Sequence, residues 1–152
     1  MGTSISDNAP LQKGASPPTG QAGLDLNTSA IDHIMRASRK ANGGVYQFTI
    51  PGREKIMEAG MAEPASMGAG TAINFQPVGG GKAAVTGDFV LLASEVDPVM
   101  RALTSSGIEV TALHTHMLDE QPKLYFMHFW AVDDAQRLAT GLRSALDRSN
   151  VR

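Results

Sequence analysis

Three of the four histidines, His114, His116 and His128, and the single tryptophan, Trp130, lie in the stretch Gly107 to Val132. Neutral imidazole is the commonest protein metal ligand. Two imidazoles at i and i+2 on a strand project from one face, where a third from a partner strand completes a site. The stretch reads as a β-hairpin with its turn centred on Asp119 to Pro122. Opposed residue numbers then sum to about 242, His114 faces His128, and His116 lies diagonal to it. Cβ atoms across such a pair sit about 4.5–5.5 Å apart and diagonal ones about 7–8 Å. This is a workable mouth for one ion with nitrogen ligands at about 2.0–2.1 Å. An odd register or a bulge would send His128 to the other face and remove the site. The alternative is three separate strand histidines, each satisfied by backbone or carboxylate hydrogen bonds.

If the cluster holds metal, His114, His116 and His128 are the ligands, with zinc first and copper second by ligand type. The fourth position falls to water, Glu120 or Asp88. With water there, a zinc site supports hydrolysis, and Glu120, close in sequence to two ligands, is the candidate general base. Asp88 shares its strand face with Thr86 and Val90, so it either faces solvent or supports the histidines as a ligand or second carboxylate. Phe126 and Trp130 share the face of His128 by parity and would wall a pocket for a small molecule, with or without metal. Met117 and Met127 adjoin the histidines but alternate to the opposite face, which counts against a mixed His–Met copper site. His33 lies off the apolar stripe of its own helix and is left out.

The elements that must position these residues follow from pattern and punctuation. Residues 1–25 are rich in Gly, Pro, Ser and Ala and cannot bury enough surface to offset ordering entropy, so they read as a flexible leader. Asn27, Thr28 or Ser29 caps a first helix expected to end at Asn42-Gly43-Gly44. Val45 to Ile50 is a strand stopped by Pro51-Gly52. Residues 53–70 read as a loop or short strand, with Met57, Met61 and Met67 filling gaps in the core, or less readily as a thioether site for Cu(I). Thr71 to Gln76 and Ala83 to Leu92 form a hairpin about a glycine-rich turn. Its GGGK string is no phosphate loop, because Gln76 and Ala83 stand where Gly and Ser or Thr are required. Asp97-Pro98 is expected to open a second helix, and Asp133-Asp134 to cap a third with Leu138, Leu142 and Leu146 on one face. The order helix, strand, then β-β-α-β-β-α makes an α+β fold. It has a mainly antiparallel sheet of about five strands, with amphipathic helices on one face, in a single domain over residues 26–152.

Composition narrows the partners. With 152 residues, 42% of them hydrophobic, the chain is long enough for one core and short for two. A net charge of −2 and scattered Lys and Arg give no field for nucleic acid. The absence of cysteine removes disulfides, thiolate nucleophiles and Cys-based metal sites. No apolar run is long enough for a transmembrane helix, and no signal peptide is visible at the start.

The spacing His114-x-His116-x3-Glu120 resembles the first cupin motif. The upstream glycine is one residue too far away, however, and the second motif is missing. A closer likeness is carried by Gly43-Gly44-Val45-Tyr46, Ala72-Ile73-Asn74-Phe75-Gln76, Thr86-Gly87-Asp88-Phe89-Val90, Glu95-Val96-Asp97-Pro98-Val99, Gly107-Ile-Glu-Val-Thr-Ala-Leu-His114-Thr-His116-Met117 and Phe126-Met127-His128-Phe129-Trp130. In these strings, spread over residues 24–147, the chain resembles the LppY/LpqO family of bacterial, largely exported proteins. Thr115 replaces the Asn of that family's usual HNHM string and leaves the three histidines matched. The resemblance implies an extracytoplasmic setting and no particular reaction. Relatives in which the pattern recurs imply that a single-copy chain restores the pair as a homodimer.

Overall fold

A computed structural model of the chain describes residues 26–64 and 67–151, so the expected leader over residues 1–25 lies outside the described residues. In chain order the elements are α1 (Thr28–Met35), β1 (Arg39–Asn42), β2 (Val45–Pro51), β3 (Ile56–Glu58), β4 (Met61–Glu63), β5 (Gly70–Gly79), β6 (Lys82–Leu91), α2 (Ala93–Ser105), β7 (Glu109–Thr115), β8 (Tyr125–Asp134) and α3 (Ala135–Leu146). Six strands form one antiparallel sheet in the order β1-β2-β5-β6-β8-β7, and β3 pairs with β4 in a separate hairpin. The fold is α+β, as the alternation of hairpins and amphipathic helices requires.

Period-two alternation decides which face is dry. Phe48 and Ile50 on β2, Ile73 and Phe75 on β5, Val85, Phe89 and Leu91 on β6, and Met127 and Phe129 on β8 are buried in one cluster with the apolar sides of the helices. Phe48 packs edge-on to Phe75 with centroids 5.8 Å apart, and Phe89 packs on Phe129 at 5.5 Å. Leu138, Leu142 and Leu146 of α3 and Val99 and Leu103 of α2 close the core from the helical side. Arg143 ties α1 to α3, donating to the Met35 carbonyl at 3.0 Å and to Asp147 at 2.6 Å. Gly87 lets β6 approach β5, since a Cβ at that position would lie 2.0 Å from the Ala72 carbonyl oxygen.

Three boundaries differ from expectation. Helix α1 stops at Met35, where Arg36 turns left-handed, and Asn42-Gly43-Gly44 is the turn of the β1–β2 hairpin instead. Arg39 explains the change. Its guanidinium pairs with Asp32 at 2.9 Å and lies 5.0 Å over the Tyr46 ring, which holds the chain out as a sixth strand. Helix α2 begins at Ala93, because the Glu95 carboxylate accepts the Leu92 N–H at 2.8 Å and caps the helix before Asp97 is reached. Asp97 is then a surface partner of Arg101 at 2.8 Å. Finally, residues 56–63 form the β3–β4 hairpin, and Met61 and Met67 are 75% and 70% exposed, so these two do not fill the core.

Candidate functional site

The face of the sheet turned away from the helices is laid out in cross-strand rows. One row runs Val90, Phe126, His114; the next runs Ala72, Asp88, His128, Ala112; the third runs Gln47, Asn74, Thr86, Trp130, Glu109. The first row is covered at its Val90 end, while His114 at the other end stays exposed. Ile56, Ala69 and Leu124 form a second small core with Val90, brought there by β3 and the loop 116–124. Paired backbone bonds between Met57 and Gln121, both 2.9 Å, fasten that loop to the hairpin.

The β7–β8 register is even but displaced from expectation. From Ala112 to Thr115 opposed residues sum to 240, so His114 faces Phe126 and lies diagonal to His128, which itself faces Ala112. The nine-residue loop, in place of a tight turn, accounts for the two-residue shift, and a bulge between Val110 and Ala112 moves the pairing by one further residue beyond the histidines. His114 and His128 nevertheless meet. Their rings meet edge to edge, with centroids 4.9 Å apart and planes 27° apart, and Nε2 of one lies 2.7 Å from Nε2 of the other. Nδ1 of His114 donates to the Thr115 carbonyl at 2.9 Å, and Nδ1 of His128 donates to the Asp88 carboxylate. Asp88 is therefore the support of His128, drawn from the neighbouring strand at the directly opposed position.

These partners fix the tautomers. A carbonyl and a carboxylate can only accept, so each Nδ1 carries its ring's proton and each neutral ring presents a bare Nε2 lone pair. Two lone pairs at 2.7 Å repel unless a proton or a cation lies between them. Two nitrogens bound to one ion at about 2.0–2.1 Å with a tetrahedral angle stand about 3.3 Å apart, and in a linear arrangement about 4 Å. The observed gap is nearer the first and needs only a small outward swing of the two rings.

His116 is committed elsewhere. Its Nε2 donates to both oxygens of Glu63 at the end of β4, at 2.9 and 3.1 Å, and the pair is nearly buried, with side-chain exposures of 13% and 4%. The His116 ring lies flat on Phe126, centroids 4.8 Å apart and planes 12° apart, and His114 packs against the same phenyl ring at 5.5 Å. Among the described residues no three His, Asp or Glu side chains converge on a single point suited to an ion. The three-histidine shell expected from spacing is thus replaced by a two-histidine pair and a Glu63–His116 couple sharing one aromatic wall.

A family model described as Domain of Unknown Function (DUF1259) matches residues 29–148. The chain belongs to this family, DUF1529. The matched span contains every residue of the pair and of the couple. No curated protein and no solved structure matches the chain.

Glu120, the candidate base and fourth ligand, is fully buried inside the loop of this DUF1529 domain. Its Oε1 accepts the Leu124 N–H at 3.1 Å, and its Oε2 faces the Lys123 ammonium at 3.7 Å. Burial pushes its carboxyl up, but N–H donors of Leu124, Met117 and Glu120 itself, with the Lys123 charge, overcome this and hold it below the ordinary range. A carboxylate enclosed by its own loop in this way is poorly placed to take a substrate proton. Glu63 was missed by sequence reasoning. It lies 53 residues from its histidine and carries no local motif.

Proposed function

We propose that the chain is a metal-binding protein whose ion, zinc by ligand type, is held by Nε2 of His114 and Nε2 of His128. One observation carries this reading: both Nδ1 protons are already donated to oxygen acceptors, so the two Nε2 atoms face each other at 2.7 Å and require a cation or a shared proton between them. Asp88 orients His128 and raises its basicity as a ligand, and the Thr115 carbonyl does the same for His114. Copper is the weaker choice, because Met127 is buried on the opposite face of the strand.

Two protein ligands leave coordination positions open, and this favours a hydrolytic version of the same reading. The metal supplies Lewis acidity, and the Glu63–His116 couple, packed on the phenyl ring that also supports His114, holds or moves the proton in place of Glu120. The likeness to LppY/LpqO proteins supports an exported setting, and a homodimer is the assembly that likeness favours.

The test is metal analysis of protein purified without a nickel column. About one equivalent is expected in the wild type, with loss in His114→Ala and in His128→Ala. Equal content in all three proteins would remove the metal from this pair. A homodimer is checked on the same samples by their mass in solution.

A further inference from the structure

Next to the histidine pair, on the same open face, the sheet floor forms a groove of about 340 Å³ that the metal reading leaves unused. Its lining includes Asn42, Gln47, Asn74, Gln76, Thr86 and Trp130 and contains no charged side chain. The charged residues at the ends of this row, Lys40 opposite Gln47 and Glu109 opposite Trp130, stand on the edge strands outside the lining. Trp130 is 46% exposed, which for the largest apolar side chain leaves a broad indole surface at one end of the groove. Of the amides, only Asn74 makes a side-chain hydrogen bond among the described residues, a long one of 3.4 Å to the Thr86 carbonyl.

We infer that this groove binds a neutral polyhydroxylated ligand, a sugar ring, with one face on Trp130 and its hydroxyls on the amides. The chemistry matches on three counts. An amide offers both donor and acceptor, as does a hydroxyl, so a row of amides can satisfy hydroxyls of either polarity. The C–H groups on a sugar-ring face carry slight positive charge and suit the negative face of the indole. An uncharged lining disfavours phosphorylated or carboxylated ligands, which would arrive without a counter-charge. The volume falls within the range of small-molecule sites. A planar base would also stack on Trp130, but the amides line the groove from three strands, β1, β2 and β5. They suit hydroxyls around a ring better than the single edge of a base. An extended peptide has better sites at the free edges of β1 and β7. Thr86 and Trp130 lie two residues from Asp88 and His128 on their strands, so a ligand in the groove reaches within about 7 Å of the histidine pair.

Trp130 is the only tryptophan, so its fluorescence reports on this groove directly. The full chain is titrated with glucose, cellobiose and trehalose, and in parallel with glucuronate and adenosine, each with and without EDTA. The expected result is a saturable change with at least one neutral sugar, unaltered by EDTA and weakened at least tenfold by Asn74→Ala or by the surface variant Gln76→Ala, both checked for folding by circular dichroism. No saturation with any neutral sugar overturns the inference, as does tighter saturation by glucuronate or adenosine, or full-strength binding in both variants. Persistence of the signal in EDTA separates this site from the metal proposal, so either can fail alone.

Discussion

The two faces of the central sheet are built on opposite principles. The helical face buries Phe48, Phe75, Phe89 and Phe129 among the aliphatic residues of three helices, and each contact there is backed by several others. The open face orients each imidazole through one oxygen-bearing partner: a carboxylate on His128, a carbonyl on His114, a carboxylate on His116. The difference teaches where change is tolerated. On the dry face a substitution is expected to lower the stability of the whole domain, whereas at the exposed polar positions of the open face it is expected to leave the fold standing.

The largest break of that contrast is Phe129→Ala, which empties a fully buried site between Phe89 and the helices. A loss of about 3–5 kcal/mol is expected in denaturant unfolding. Glu120→Gln comes next, with a loss of about 1.5–3 kcal/mol, the scale of hydrogen bonds to a charged group. Here the sign of the pH dependence follows from the lowered carboxyl: its stabilisation is complete above the ordinary glutamate range and is lost as pH falls through the folded value below it. The melting-temperature gap between wild type and Glu120→Gln should therefore close on acidification. A gap that widens in acid would contradict the assignment. Asp88→Asn should keep the fold but weaken zinc binding about 10–100-fold, the usual cost of losing a carboxylate behind a ligand histidine; competition with a chelating dye measures it. The smallest effect is on Trp130→Ala, expected to alter unfolding free energy by no more than about 0.5 kcal/mol.

Those same contrasts explain what was readable in the sequence. The alternation of β6 and β8 shows in the residues themselves, so the α+β class, the dry face and the shared face of Phe126, His128 and Trp130 follow from pattern. Register does not. It depends on a nine-residue loop and a bulge at Thr111, and neither has a distinctive local signature. The Glu120 spacing invited a motif, but its carboxylate is drawn inward by backbone donors that exist only once the loop is folded. Glu63 reaches His116 only because the Met57–Gln121 bridge docks the β3–β4 hairpin against the loop, a contact between segments far apart in the chain. Local composition also hid the start of α2, since the cap comes from Glu95 inside the helix rather than from the Asp97-Pro98 pair.

The central claim is that two Nε2 lone pairs converge on one cation position. It is tested most directly by ¹⁵N NMR of the histidine side chains during zinc titration. The account predicts that Nε2 of His114 and Nε2 of His128 shift together at one equivalent while both Nδ1 keep their protons. Nε2 signals that stay in place, or an Nδ1 that loses its proton to the metal, would contradict it.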